Sequence, residues 1–148
     1  MQGGDLSNEL PPRFVFVLEG LVATVPASAV RRQRLHLRLH RWEKAVDLLE
    51  WNTYALSTMW NTVWRLGVRF DVATYTSTEQ GWLEALRDRL DQENVPVSTV
   101  HAYSSPQELA LKLAYLPDVR AVFDAAPERA LVYGNRGRTA VPDSFSVI

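Results

Sequence analysis

The sequence predicts an α/β fold. It is read as a single Rossmann-like three-layer domain, with a mostly parallel sheet, helices on both faces and a small β-hairpin flap. Three observations carry this reading. Apolar runs of strand length recur at 13–18, 68–73, 95–101 and 119–124. Segments with helical apolar spacing separate them. Capping residues and glycines fall at the joins, as alternating strands and helices require.

Residues 1–12 are polar and end in Pro11-Pro12, which predicts a flexible N-terminal arm before a domain spanning 13–148. Residues 13–18 hold the unbroken run Phe14-Val15-Phe16-Val17-Leu18, expected of a strand covered on both faces. In 34–40, "RLHLRLH", Leu35, Leu37 and Leu39 alternate with His36, Arg38 and His40. That period of two predicts a half-buried strand or hairpin arm.

From Trp42 to Leu66 the spacing is helical, with a break near Asn52-Thr53, where either residue could cap a second helix. Gly67 is a helix stop. The strand that follows ends in the hydroxyls Thr74, Thr76 and Ser77. Ser77-Thr78-Glu79-Gln80 has capping-box spacing, and Trp82, Leu83, Leu86 and Leu90 share the next helix face. Ser105-Pro106-Gln107-Glu108 combines a capping box with proline at the first helical position. Leu109, Leu113 and Leu116 give that helix its apolar face. "VRAVFD" (119–124) is a strand ending on an acid. Pro127 opens a helix that Gly137 is expected to stop, and 139–141 is a last short strand.

Composition narrows the function classes. Hydrophobic residues make up 47% of the 148, enough for one core. The net charge of −1 predicts neither a nucleic-acid nor an anionic-membrane partner. Without cysteine there is no disulfide frame and no thiolate chemistry. No apolar run approaches the ~20 residues of a membrane helix. A soluble, cytoplasmic protein is expected, with no membrane partner.

In doubly wound sheets, ligands bind at the carboxyl ends of the strands. The polar residues there are Glu19, Thr74, Thr76 and Asp124, with Lys112 on the helix before the last of these strands. In this order and placement the chain resembles the haloacid dehalogenase superfamily, in its small form with little or no cap. The likeness covers about 13–141. That pattern is a strand ending Asp-x-Asp-Gly, a strand ending in Thr or Ser, a helical Lys, and a strand ending in one or two acids. Here "VLEG" (17–20) stands in the first motif, with Val17 at the nucleophile position and Glu19 at the general acid/base position. Thr74 matches the phosphate-binding hydroxyl and Lys112 the third motif. Asp124 keeps one acid of the fourth, and Ala125 replaces the other.

The resemblance implies an aspartyl-phosphate mechanism assisted by Mg²⁺. Val17 has no lone pair, so it can neither attack phosphorus nor ligate metal. The expectation is therefore a catalytically degenerate domain that binds, with a protein partner, its own copy or another chain. No cofactor is expected, and Mg²⁺ only with residual activity. The alternative is a residual phosphatase, or a phosphate-ester or nucleotide binder, using Glu19, Thr74, Lys112 and Asp124, with Thr74 and Lys112 on phosphate and Asp124 and Glu19 on metal. Simpler roles stand beside these: Glu19 as a turn residue, Thr74 satisfying backbone, Lys112 solvated, Asp124 capping the next helix.

Two surfaces remain. The arginines of 31–41, among them Arg31, Arg32, Arg34 and Arg38, could bind nucleic acid, although a solvated outer face is the simpler reading. The helix 51–64 holds more large aromatics than one face can hide. Trp51, Tyr54 and Trp64 are the candidates for an exposed interaction patch.

Overall fold

The structure, a computed structural model, describes residues 11–75, 80–116 and 118–140. Their order is β1 (Arg13–Val17), β2 (Ala23–Thr24), α1 (Val30–Arg38), α2 (Trp42–Asp47), β3 (Glu50–Trp51), α3 (Thr53–Leu66), β4 (Arg69–Tyr75), α4 (Gln80–Gln92), β5 (Val97–Tyr103), α5 (Pro106–Ala114), β6 (Val119–Asp124), α6 (Pro127–Val132) and β7 (Gly137–Thr139). Five strands form one parallel sheet in the order β5-β4-β1-β6-β7. The predicted α/β class and three-layer architecture are correct. Chain direction across the sheet reverses at β1 and β6, which places a crevice beyond their carboxyl ends.

Alternation along β1 divides the core. Phe14, Phe16 and Leu18 pack on one face with Phe70, Val72 and Phe123, beneath Val46, Met59 and Leu86 of the helices. Phe16 stacks on Phe123 at 4.8 Å and meets Phe70 edge-on at 4.8 Å. Val15 and Val17 lie on the other face with Leu109, Leu113 and Tyr133. Both faces of β1 are dry, which explains its uninterrupted apolar run.

Residues 34–38 complete α1 and Leu39 and His40 form the turn that ends it, which corrects the hairpin reading. Arg and Leu favour helix, and the segment contains no β-branched residue. Only Leu37 of the three alternating leucines packs against the core; Leu35 and Leu39 are exposed. The helix stop is unusual. His40 takes φ 57°, its N–H donates to the Leu37 carbonyl and that of Arg41 to the His36 carbonyl. That is a Schellman ending with histidine where glycine is usual. An antiparallel pair does follow β1, but it joins Ala23–Thr24 to Glu50–Trp51 and brackets the two helices.

The break at Asn52-Thr53 is real, although β3 precedes it. Asn52 ties α3 to the β1 turn: its Nδ2 donates to the Leu21 carbonyl at 3.1 Å and its N–H to that of Val22 at 2.8 Å. Gly67 ends α3 at φ 60°. At α6 the stop is Gly134, φ 71°, rather than Gly137, which begins β7. The Ser105 cap forms as expected, its Oγ accepting from the Glu108 N–H at 3.1 Å. Glu108 returns to the Ser104 N–H at 3.0 Å and not to the Ser105 N–H. Residues 1–10 of the arm, Thr76, the Ser77–Glu79 capping motif and residue 141 of the last expected strand lie outside the described residues. No helix among the described residues is long and apolar enough to cross a membrane.

The amino end of the sheet is fastened by ions. Asp71, fully buried on β4, accepts from Arg13 Nη1 at 2.8 Å and lies 2.6 Å from His101 Nε2 on β5. Arg13 also donates to Thr99 at 3.2 Å and to Asp118 at 3.2 Å. Removing Asp71 leaves a largely buried guanidinium with Asp118 as its remaining carboxylate and takes the acid away from His101. Asp71→Ala is expected to lower unfolding free energy by about 3 kcal/mol in urea titrations. A loss under about 1 kcal/mol would show the network to be marginal.

Candidate functional site

Four strand ends build the site. After β1 the chain turns tightly, with the Leu18 carbonyl accepting from the N–H groups of Val22 and Ala23 at 3.0 and 2.9 Å. Gly20 sits at φ 89°, a conformation that requires glycine, and its N–H donates to the Ala23 carbonyl at 3.0 Å. This turn carries Glu19 across to the end of β4.

There the Glu19 carboxylate is caught by donors from β4 and β5, in addition to its own backbone N–H. Thr74 Oγ1 donates at 2.7 Å, the Tyr75 N–H at 3.0 Å and the Tyr103 hydroxyl at 3.4 Å. Thr74 in turn accepts from the Trp82 indole N–H at 3.0 Å, within the buried interior. Thr74 has one proton, and Glu19 takes it. The hydroxyl is therefore engaged at both ends. Burial pushes the Glu19 carboxyl above its ordinary value, and the bonds from Thr74, Tyr75 and Tyr103 pull the other way.

Asp124, at the end of β6, is fully buried and more heavily bonded. Arg129 grips it with Nε at 3.0 Å and Nη2 at 2.8 Å. The Tyr133 hydroxyl donates at 3.0 Å and the Ala126 N–H at 3.1 Å. Its bond to the N–H two residues on is a turn leading into α6; the N-cap of that helix is Ala126 and no side chain caps it, which corrects the expected capping role of Asp124. The pairing holds the Arg129 guanidinium above its ordinary value. Burial raises both the Tyr103 and Tyr133 hydroxyls, so each stays a protonated donor.

Val17 is wholly buried between these acids, in the apolar layer that includes Tyr103 and Tyr133. Lys112 is directed elsewhere: Nζ donates to the Ala102 carbonyl at 2.5 Å and lies 3.7 Å from Glu108. So Glu19 and Thr74 meet, Asp124 lies in a separate clamp, and the bonds of Lys112 reach neither.

Beside Glu19 a cavity of about 410 Å³ opens between the sheet and the helices after β2. Trp42, Tyr75 and Trp82 line it, with Leu37 and Arg38 from α1. Trp42 lies close over Gly81, where an added Cβ would come 2.0 Å from its indole nitrogen. Glycine there lets α2 dock on α4. Sequence reasoning missed Arg129, Tyr103 and Tyr133. The available signal was a cation one helical turn beyond Asp124.

The two surface candidates also have places. Arg31, Arg32, Arg34 and Arg38 are exposed on α1, so they decorate a helix and not a hairpin. Trp51 packs against the core, which removes it from the expected patch. Trp64 is 73% exposed and meets Trp60 edge-on at 6.1 Å. The Tyr54 side chain lies outside the described residues. No family model matches this chain, and no curated protein matches it.

The raised Glu19 carboxyl makes a signed prediction. The folded state holds that proton more tightly than the unfolded chain does. The resulting stability is fully present below the ordinary value of 4.5 and is lost as pH rises through the folded value. Glu19→Gln should flatten this decline in urea titrations run across pH. An unchanged slope would show that Glu19 does not contribute it.

Proposed function

We propose that this chain is a catalytically degenerate domain of the haloacid dehalogenase type, working by binding rather than by phosphoryl transfer. The observation that carries the reading is Val17, sealed in the apolar layer at the end of β1. A nucleophile there would need a lone pair facing the cleft. Valine offers none, and its surroundings are built for an apolar side chain.

The other positions support the same reading. Asp124 spends its oxygens on Arg129, Tyr133 and a backbone N–H. Mg²⁺ demands a near-octahedral shell of oxygens. A carboxylate already paired with a guanidinium, beside a valine, does not suit it. Glu19 and Thr74 satisfy one another, and Lys112 is bonded to β5. A residual phosphatase would require all four groups to be released. A protein partner is part of the proposal, because Trp60 and Trp64 expose large apolar area on α3.

With an aryl phosphate and Mg²⁺, the native chain should give no turnover above a protein-free blank. Val17→Asp should restore none, since Arg129 still holds Asp124. Mg²⁺-dependent turnover by the native chain, lost in Glu19→Gln, would contradict the proposal.

A further inference from the structure

Helix α3 has two unlike faces. Leu56, Met59 and Val63 pack it on the core. The opposite face presents Thr53, Ser57, Trp60, Asn61 and Trp64, all exposed. Thr53, Ser57, Trp60 and Trp64 follow one another at steps of four, three and four, the spacing of a helix-pairing seam. Charge is missing from this face. Between Glu50 and Arg65 the sequence carries no charged side chain. A solvated helix face ordinarily carries charge, whereas interface cores lose it and gain tryptophan. Beside Trp60 lies a groove of about 440 Å³. Leu56, Ser57, Trp60 and Asn61 line it, with Glu93 and Val95 from the segment after α4.

A projecting ring and a groove on the same helix face can satisfy each other across a twofold axis. The groove at Ser57 lies about two turns from Trp64. In an antiparallel pair of α3 helices, Trp64 of each copy then faces Ser57 of the other, and Trp60 faces Asn61. The small Ser57 leaves room for the ring. The antiparallel sense also separates the cations. Arg65 comes level with Leu56, so the two copies of Arg65 stand about 13 Å apart along the seam. A parallel pair would set them abreast. Glu93 at the groove and Arg65 at the end of α3 are charges of opposite sign, so the face selects neither an acidic nor a basic partner. A second copy brings a face as neutral as its own. We infer that two copies of this chain associate through α3, antiparallel, with Trp64 of each seated in the groove over Ser57 of the other. The inference rests on the reading of the chain as a binding domain and names its partner.

Sedimentation of the full chain reads this directly. Its mass should rise with concentration from 16.8 kDa toward twice that value. The midpoint should fall on the order of micromolar for so short a seam. Trp64→Ala should weaken association at least about tenfold. Ser57→Trp should weaken it as much, because it fills the groove even while adding apolar surface. Both positions are exposed, so these variants keep the fold. The chain has no cysteine, so introduced thiols report the register alone. Asn61→Cys, beside the twofold, should give a covalent dimer under mild oxidation. Arg65→Cys, too far from its counterpart to bridge, should not. A monomer at every concentration, association that Ser57→Trp strengthens or leaves unchanged, or crosslinking by Arg65→Cys in place of Asn61→Cys would each overturn the inference. Phosphate release is followed in the same samples. A monomer without release overturns the second copy alone; a dimer with release overturns the proposed function and leaves the α3 pair standing.

Discussion

The half-buried carboxylate of Glu19 sets the terms for the whole carboxyl edge of the sheet. An acid at the junction of three strands cannot stay there unpaired, because its desolvation would cost several kcal/mol. Thr74, the Tyr75 N–H and Tyr103 meet that demand, and Trp82 holds Thr74 in place. Each donor comes from a different position: two from β4, one from the end of β5, one from the helix beyond. The turn at Gly20 exists to bring the acid to them. Once this network forms, β1, β4, β5 and α4 have a fixed relation at one point.

The same logic governs the second acid. Asp124 is neutralised by Arg129 from its own following helix and by Tyr133 beyond it. Between the two networks lies Val17, in a layer that also holds the rings of both tyrosines. The carboxyl edge of the sheet is divided into two hydrogen-bonded acids and an apolar bridge. Neither anion depends on a metal for balance. The physical consequence is a rigid floor beside an aromatic cavity, a better foundation for recognition than for covalent chemistry.

Much of the architecture was legible because burial on both faces writes an unmistakable pattern. Phe14 to Leu18 and Val119 to Asp124 read as strands, and β1, to Val17, and β6 lie inside the sheet. Ser105 and Gly67 announced helix ends through ordinary capping chemistry. The segment 34–40 misled because three leucines alternate by chance of spacing, while two of them face water. Its true stop was hidden in His40, a residue that takes the left-handed region less often than glycine or asparagine. At the site, single positions were legible and their partners were not. Asp124 was visible as a strand-end acid. The spacing of Arg129 beyond Asp124 was a signal, but that it and Tyr133 close on the acid depends on where α6 sets its side chains. Lys112 shows the converse. Its place in the order suggested the site, but its ammonium found a nearer carbonyl on β5.

The central claim is that the acids at the strand ends are structural anions, closed to metal. Titration with Mn²⁺, followed by electron paramagnetic resonance, tests it most directly. The free-ion signal should persist, with no saturable site on the native chain and no change in Asp124→Asn. One ion bound per chain, lost on substituting Asp124 or Glu19, would contradict the account.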